Sequence, residues 1–132
     1  MRYWLPVVLW MVVIFLFSGR EKVAITDSYA LSFLFFKTLH LIEYIFLYIV
    51  SYRAFFNTVT NKNRALIYSL ILTIIYAATD EIHQHFVPTR EGRLRDVIID
   101  SFGGGLGWII LVQLLPKASK KLKSVAKRWQ IL

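Results

Sequence analysis

Four apolar stretches run along the chain, roughly Tyr3–Phe17, Leu39–Phe56, Ala65–Ala78 and Val97–Leu115. None shows the one-sided periodicity of a helix lying on a water-soluble core, and the turn signals fall between them. Asn57, Thr58, Thr60, Asn61, Lys62 and Asn63 form a polar loop between the second and third stretches. Pro88 and Gly92 break the chain between the third and fourth, and Pro116 stops the fourth. Leu31–Phe36 adds an apolar stretch before Lys37, which either extends the second helix outward or lies along an interface. The third stretch, at about 1.5 Å per residue, covers only about 21 Å, short of a hydrocarbon core of about 30 Å. Its helix is therefore expected to continue through Thr79, Asp80, Glu81, Ile82, His83 and Gln84.

The fold expected is all-α: an integral membrane bundle of four transmembrane helices in a single domain, residues 1–132. The spans fall at roughly 3–18, 37–56, 64–85 and 96–115, and a basic tail occupies 116–132. No internal repeat or low-complexity segment interrupts it. The first stretch could imitate a signal peptide, but Leu16, Phe17 and Ser18 make a poor small-residue cleavage site, so it reads as a retained span.

Composition agrees with lipid as the solvent: 57% of residues are hydrophobic and 18% charged, too few charges for the surface of so small a soluble domain. The absence of cysteine excludes disulfides and thiolate catalysis. Charge also supplies an orientation. With the N-terminus, the 53–64 loop and the C-terminus on one side, that side carries Arg2, Arg53, Lys62, Arg64, Lys117, Lys120, Lys121, Lys123, Lys127 and Arg128, and no acid. The other side carries the remaining basic residues and all 8 acids. The positive-inside rule then places both termini in the cytoplasm. Net charge is +8, but the excess sits in a tail directly after a span, which points to a topology anchor and membrane lipids as partners and not to nucleic acid.

Ionisable residues gather at the opposite ends of the spans. Lys37, His40, Glu43 and Tyr44 occupy the outer half of the second helix, where 37, 40 and 44 share a face. Asp80, Glu81, His83 and Gln84 end the third. Asp96, Asp100, Gly103 and Gly107 follow at intervals of four, three and four, forming one stripe on the fourth. Gly103-x-x-x-Gly107 admits a neighbouring backbone, which would press Asp100 against protein instead of lipid. Ionisable groups at this depth are costly unless paired or wetted, so a functional site is one reading. The other is a salt-bridge network in which Lys37, Arg90, Arg93 and Arg95 neutralise Glu43, Asp80, Glu81, Asp96 and Asp100.

The segment from Tyr76 to Gly103 resembles the signature of the VanZ-like family. The matching core is Asp80-Glu81-x-His83-Gln84-x-Phe86-Val87-Pro88-x-Arg90, then Asp96-Val97, Asp100 and Gly103. Lys37-x-x-His40-x-x-Glu43-Tyr44 is similar to the family's other polar motif, and Phe17-Ser18 to a short motif ending its first helix. Thr89 stands where the family often has glycine, and Gly19-Arg20 departs from the polar pair expected after Phe17-Ser18, which puts a role for Ser18 in doubt. The resemblance implies a small multi-pass protein of the bacterial cytoplasmic membrane. Its founding member is associated with resistance to teicoplanin, and the family supplies no agreed reaction.

The function expected is the handling or modification of an anionic or lipid-linked envelope component at the extracytoplasmic face. Arg90, Arg93 and Arg95 would hold a phosphate or carboxylate, with Lys37, Tyr44 and Gln84 also lining the pocket. Asp80 or Glu81 would act as general acid or base, with His83 as the proton shuttle beside Asp80. His83 ranks above His85, which lies about 200° round the helix from it. In a metal-dependent version, His40, Glu43, Asp80, His83, Asp96 and Asp100 offer ligands for a divalent ion, without a strong metal spacing. Two other classes stay open: a non-catalytic binder whose acids are scaffolding, and a proton-coupled transporter, which at four short helices would need a homo-oligomer.

Overall fold

Pro6 sits in the first turn of α1 (Leu5–Ser18), where its missing N–H goes unmissed and its fixed φ suits a helix start. α2 (Tyr29–Phe56) starts at Ser28, whose side chain accepts from the Leu31 N–H. α3 (Lys62–His85) is capped by Asn61, which accepts from Asn63 and Arg64 at 2.9 and 3.2 Å. α4 (Leu94–Ile109) runs on through a π turn, Ile110–Leu114, and a 3₁₀ turn, Leu115–Lys117. That loosening lies where the ring of Pro116 meets the preceding turn. α5 (Lys120–Arg128) begins at the cap Ser119. This computed structural model describes residues 2–20, 27–59, 61–88, 90 and 92–132. Thr60 of the expected loop and Thr89 of the long motif lie outside the described residues, as do 1, 21–26 and 91.

Among the described residues the fold is all-helical, with no strand. Three helices, Tyr29–Phe56, Lys62–His85 and Leu94–Lys117, are long and apolar enough to cross a membrane. α1, expected as the first of four spans, is apolar but only 14 residues long. α3 extends through the acids to His85, and α2 starts eight residues before the expected boundary at Lys37, so Leu31–Phe36 is helix and not an interfacial strip.

The outer surface is apolar, unlike that of a water-soluble bundle. Large apolar side chains face outward on every long helix: Leu9 and Leu16 on α1, Leu34 and Ile42 on α2, Ile71 and Ile82 on α3, Ile98 and Phe102 on α4. Beside an apolar core that includes Val7, Ile14, Tyr44, Leu47 and Tyr48, the interior also holds Ser18, His40, Ser51, Ser69, Thr73, Asp80, Glu81, Gln84, Asp96 and Asp100. In water that distribution would leave a large apolar surface exposed; in hydrocarbon it is the favourable one. Ser69 and Thr73 satisfy their hydroxyls on the carbonyls of Ala65 and Ser69, one turn back in α3.

α4 fits the groove between α2 and α3. A Cβ on Gly103 would stand 2.8 Å from the Leu41 carbonyl oxygen, and one on Gly107 would stand 2.7 Å from Cδ1 of Tyr48. The stripe of small residues is thus met by Tyr44 and Tyr48, both fully buried on the facing side of α2. This contact fixes α4 one turn below the acids and carries Asp96 and Asp100 inward.

Candidate functional site

The four helices alternate in direction, so the end of α1, the first half of α2, the end of α3 and the start of α4 meet at one end of the bundle. There the ionisable residues fall into two groups of different character.

The first group is fully paired. Asp80, 2% exposed, accepts at Oδ1 from the Ser18 hydroxyl and at Oδ2 from Gln84 Nε2 at 2.9 Å. Gln84 Oε1 in turn accepts from Arg90 Nη1 at 3.1 Å. Arg90 gives Nε to the Arg20 carbonyl at 2.8 Å and Nη2 to the Phe17 carbonyl at 3.4 Å. Burial pulls the Arg90 guanidinium below its usual value, while Asp80, Glu81 and Glu43 act in the opposite sense. Arginine keeps its charge through such a shift. Arg90, expected to hold a ligand, therefore spends two donors fastening the end of α1 to the α3–α4 connection and a third on Gln84 of α3. Ser18, whose role the sequence left in doubt, is buried at the start of this relay.

The second group carries unpaired atoms. Both carboxylate oxygens of Asp100 (1% exposed) and the hydroxyl of Tyr44 (0%) have no hydrogen-bond partner among the described residues. Glu81 accepts from the Arg93 backbone N–H at 2.7 Å through Oε1, which secures the start of α4, but its Oε2 has no partner there. His40 Nδ1 lies 3.3 Å from Glu43 Oε2 without hydrogen-bond geometry. Asp96 in the first turn of α4 is held by Lys37 Nζ at 3.2 Å and by Arg95 Nε at 3.4 Å, and the helix N-terminus also favours its charge.

Two of the cavities at this end share part of their walls. One of about 80 Å³ lies between α2 and the start of α4, lined by Phe33, Lys37, His40, Arg93, Arg95 and Asp96, with Tyr29 and Phe36 at its apolar edge and Gln84 and Arg90 behind. The other, of about 310 Å³, lies between α1 and α2, lined by Phe17, Arg20, Leu39 and Glu43. Phe36, His40 and Arg90 form part of both walls. The guanidinium of Arg95 lies 5.3 Å over the Phe33 ring. Cationic groups thus sit beside an aromatic stripe, Tyr29-Phe33-Phe36-His40, whose first three members precede the expected boundary at Lys37.

The expected pairing of Asp80 with His83 is not made. His83 faces α1 and stacks on Phe15, with ring centroids 4.0 Å apart, because Ser18 and Gln84 already fill the space around Asp80. His85 is exposed. Among the described residues no group of three or more His, Asp or Glu side chains is placed to hold a metal ion, so the divalent-metal version has no converged ligand set.

A family model described as VanZ/LLP1 matches residues 3–115. Neither the curated proteins nor the solved structures contain a match to the chain.

Proposed function

The chain belongs to the VanZ-like family, and on that footing we propose that it is a multi-pass protein of the bacterial cytoplasmic membrane that binds an anionic, lipid-linked component of the cell envelope at its outer face. The observation carrying this reading is the cavity in which Lys37, Arg93 and Arg95 stand beside Tyr29, Phe33 and Phe36. A phosphate or carboxylate head group would be held by the cations, and the attached chain would lie along the aromatic edge towards the apolar outer face of α2. The acids serve this arrangement: Asp96 positions Lys37 and Arg95, while the Ser18–Asp80–Gln84–Arg90 relay fixes the floor.

A second reading, modification of that component, rests on one observation. His40 and Glu43 are in contact on the cavity walls and are not committed to the relay, so they form the pair able to move a proton.

The test is teicoplanin susceptibility in a sensitive Gram-positive host making the protein at matched membrane abundance. Protection by the wild type, lost in Lys37→Met and in Arg95→Ala, supports an envelope role for the cationic cavity. Loss in Glu43→Gln with ligand binding kept would favour modification. Protection that survives all three changes would make the cluster scaffolding.

A further inference from the structure

At the opposite end of the bundle α5 leaves the last span through a single tight turn, Leu115–Lys117. Residues 116–132 hold Lys117, Lys120, Lys121, Lys123, Lys127 and Arg128 and no acid. At 100° per residue the apolar positions Leu122, Val125, Ala126 and Trp129 fall on one arc, and the basic ones occupy the rest of the circumference. Only one edge of that arc is used by the protein: Ala126 is buried with Tyr52, Ala65 and Leu115, while Leu122, Val125 and Trp129 are 52%, 44% and 50% exposed.

The helix is also tied in place. Arg53 Nε donates to the Trp129 carbonyl at 2.6 Å, Asn57 Nδ2 to the Gln130 carbonyl at 3.0 Å, and Arg2 Nη2 to Gln130 Oε1 at 3.3 Å. With its N-terminal end fixed by α4 and its C-terminal end by α2, α5 cannot turn its uncovered apolar edge to the bundle. We infer that α5 is a built-in site for anionic phospholipid. Leu122, Val125 and Trp129 enter the acyl boundary of the leaflet that surrounds this end of the bundle, and the flanking lysines bind phosphate head groups. The occupant is set by continuity and charge: the helix emerges from a span, so the leaflet is the surface beside it, and a row of cations without acids matches an anionic one. This does not depend on the cavity at the other end or on which face is cytoplasmic.

The chain has no cysteine, so one introduced thiol reports one position. Spin labels at Leu122→Cys and Lys121→Cys would be compared in the full chain, in nanodiscs of phosphatidylcholine alone and of phosphatidylcholine mixed with phosphatidylglycerol. The expected result is a severalfold fall in collisions with a water-soluble nickel complex at position 122 when phosphatidylglycerol is present. Position 121 should stay accessible in both, and Lys123→Glu with Lys127→Glu should abolish the difference at 122. Equal accessibility of position 122 in the two lipids, or a difference that survives the charge reversal, would overturn the inference. The charge-reversed protein should still bind a prenyl phosphate at the far end, which separates a failure here from a failure of the proposed function.

Discussion

Ser18 and Asp80 show how much one residue decides at the end of the bundle where the acids gather. A carboxylate that is 2% exposed inside apolar helices must have donors, and Asp80 has two: the Ser18 hydroxyl and the Gln84 amide. Ser18→Ala leaves Oδ1 without its donor and should lower stability by about 1–3 kcal/mol, read as a fall in thermal midpoint in detergent. An unchanged midpoint would mean that Asp80 finds another donor. The residue types of the site were legible in the sequence because ionisable groups inside apolar runs are conspicuous: Lys37, His40, Asp96 and Asp100 do meet at one end. Their partners were not legible. Spacing within one helix placed His83 beside Asp80, whereas α1, whose packing against α3 no local pattern gives, supplies both Ser18 for Asp80 and Phe15 for His83.

The contact between α2 and α4 is the element-scale feature that brings the acids inward. Gly103 and Gly107 let α4 approach until no room for a Cβ is left beside the Leu41 carbonyl and the Tyr48 ring. Gly107→Leu should separate the two helices and lower stability by about 1–3 kcal/mol or more, since the nearest obstacle, Tyr48, is itself fully buried. Gly105→Ala is the control: nothing lies within 4 Å of that position, so the change should be neutral or mildly stabilising by the same thermal measurement. Equal effects of the two changes would contradict close packing of α4 on α2. The sequence disclosed this contact because a four-residue glycine spacing has few other uses in an apolar helix. It did not disclose α5, whose nine residues read as a charged tail until the burial of Ala126 and Ile131 shows which side is docked. The early start of α2 was only one of two readings of Leu31–Phe36, because a charge such as Lys37 looks like a helix boundary when it is in fact part of a cavity wall.

Over the whole molecule, two polar ends are separated by an apolar girth, and the account depends on which end faces out. The proposed orientation, drawn from the positive-inside rule, has the 53–64 loop and α5 on the cytoplasmic side. Single cysteines at Asp27 and Arg64 test it in intact cells with a membrane-impermeant thiol reagent. Labelling at position 27 and none at 64 is expected, and the reverse pattern would place the cationic cavity inside. The central claim, that this cavity binds an anionic lipid-linked group, is tested most directly by binding of a defined probe. Farnesyl phosphate would be titrated into the purified protein in neutral detergent, with farnesol as the uncharged control. Saturable binding of the phosphate but not the alcohol, weakened about tenfold or more in Lys37→Met and in Arg95→Ala, is the predicted result, since a charge-assisted contact contributes roughly 1.5–3 kcal/mol. Equal binding of phosphate and alcohol, or affinity unchanged in both variants, would contradict it and leave the cluster as the salt-bridge scaffold of the bundle.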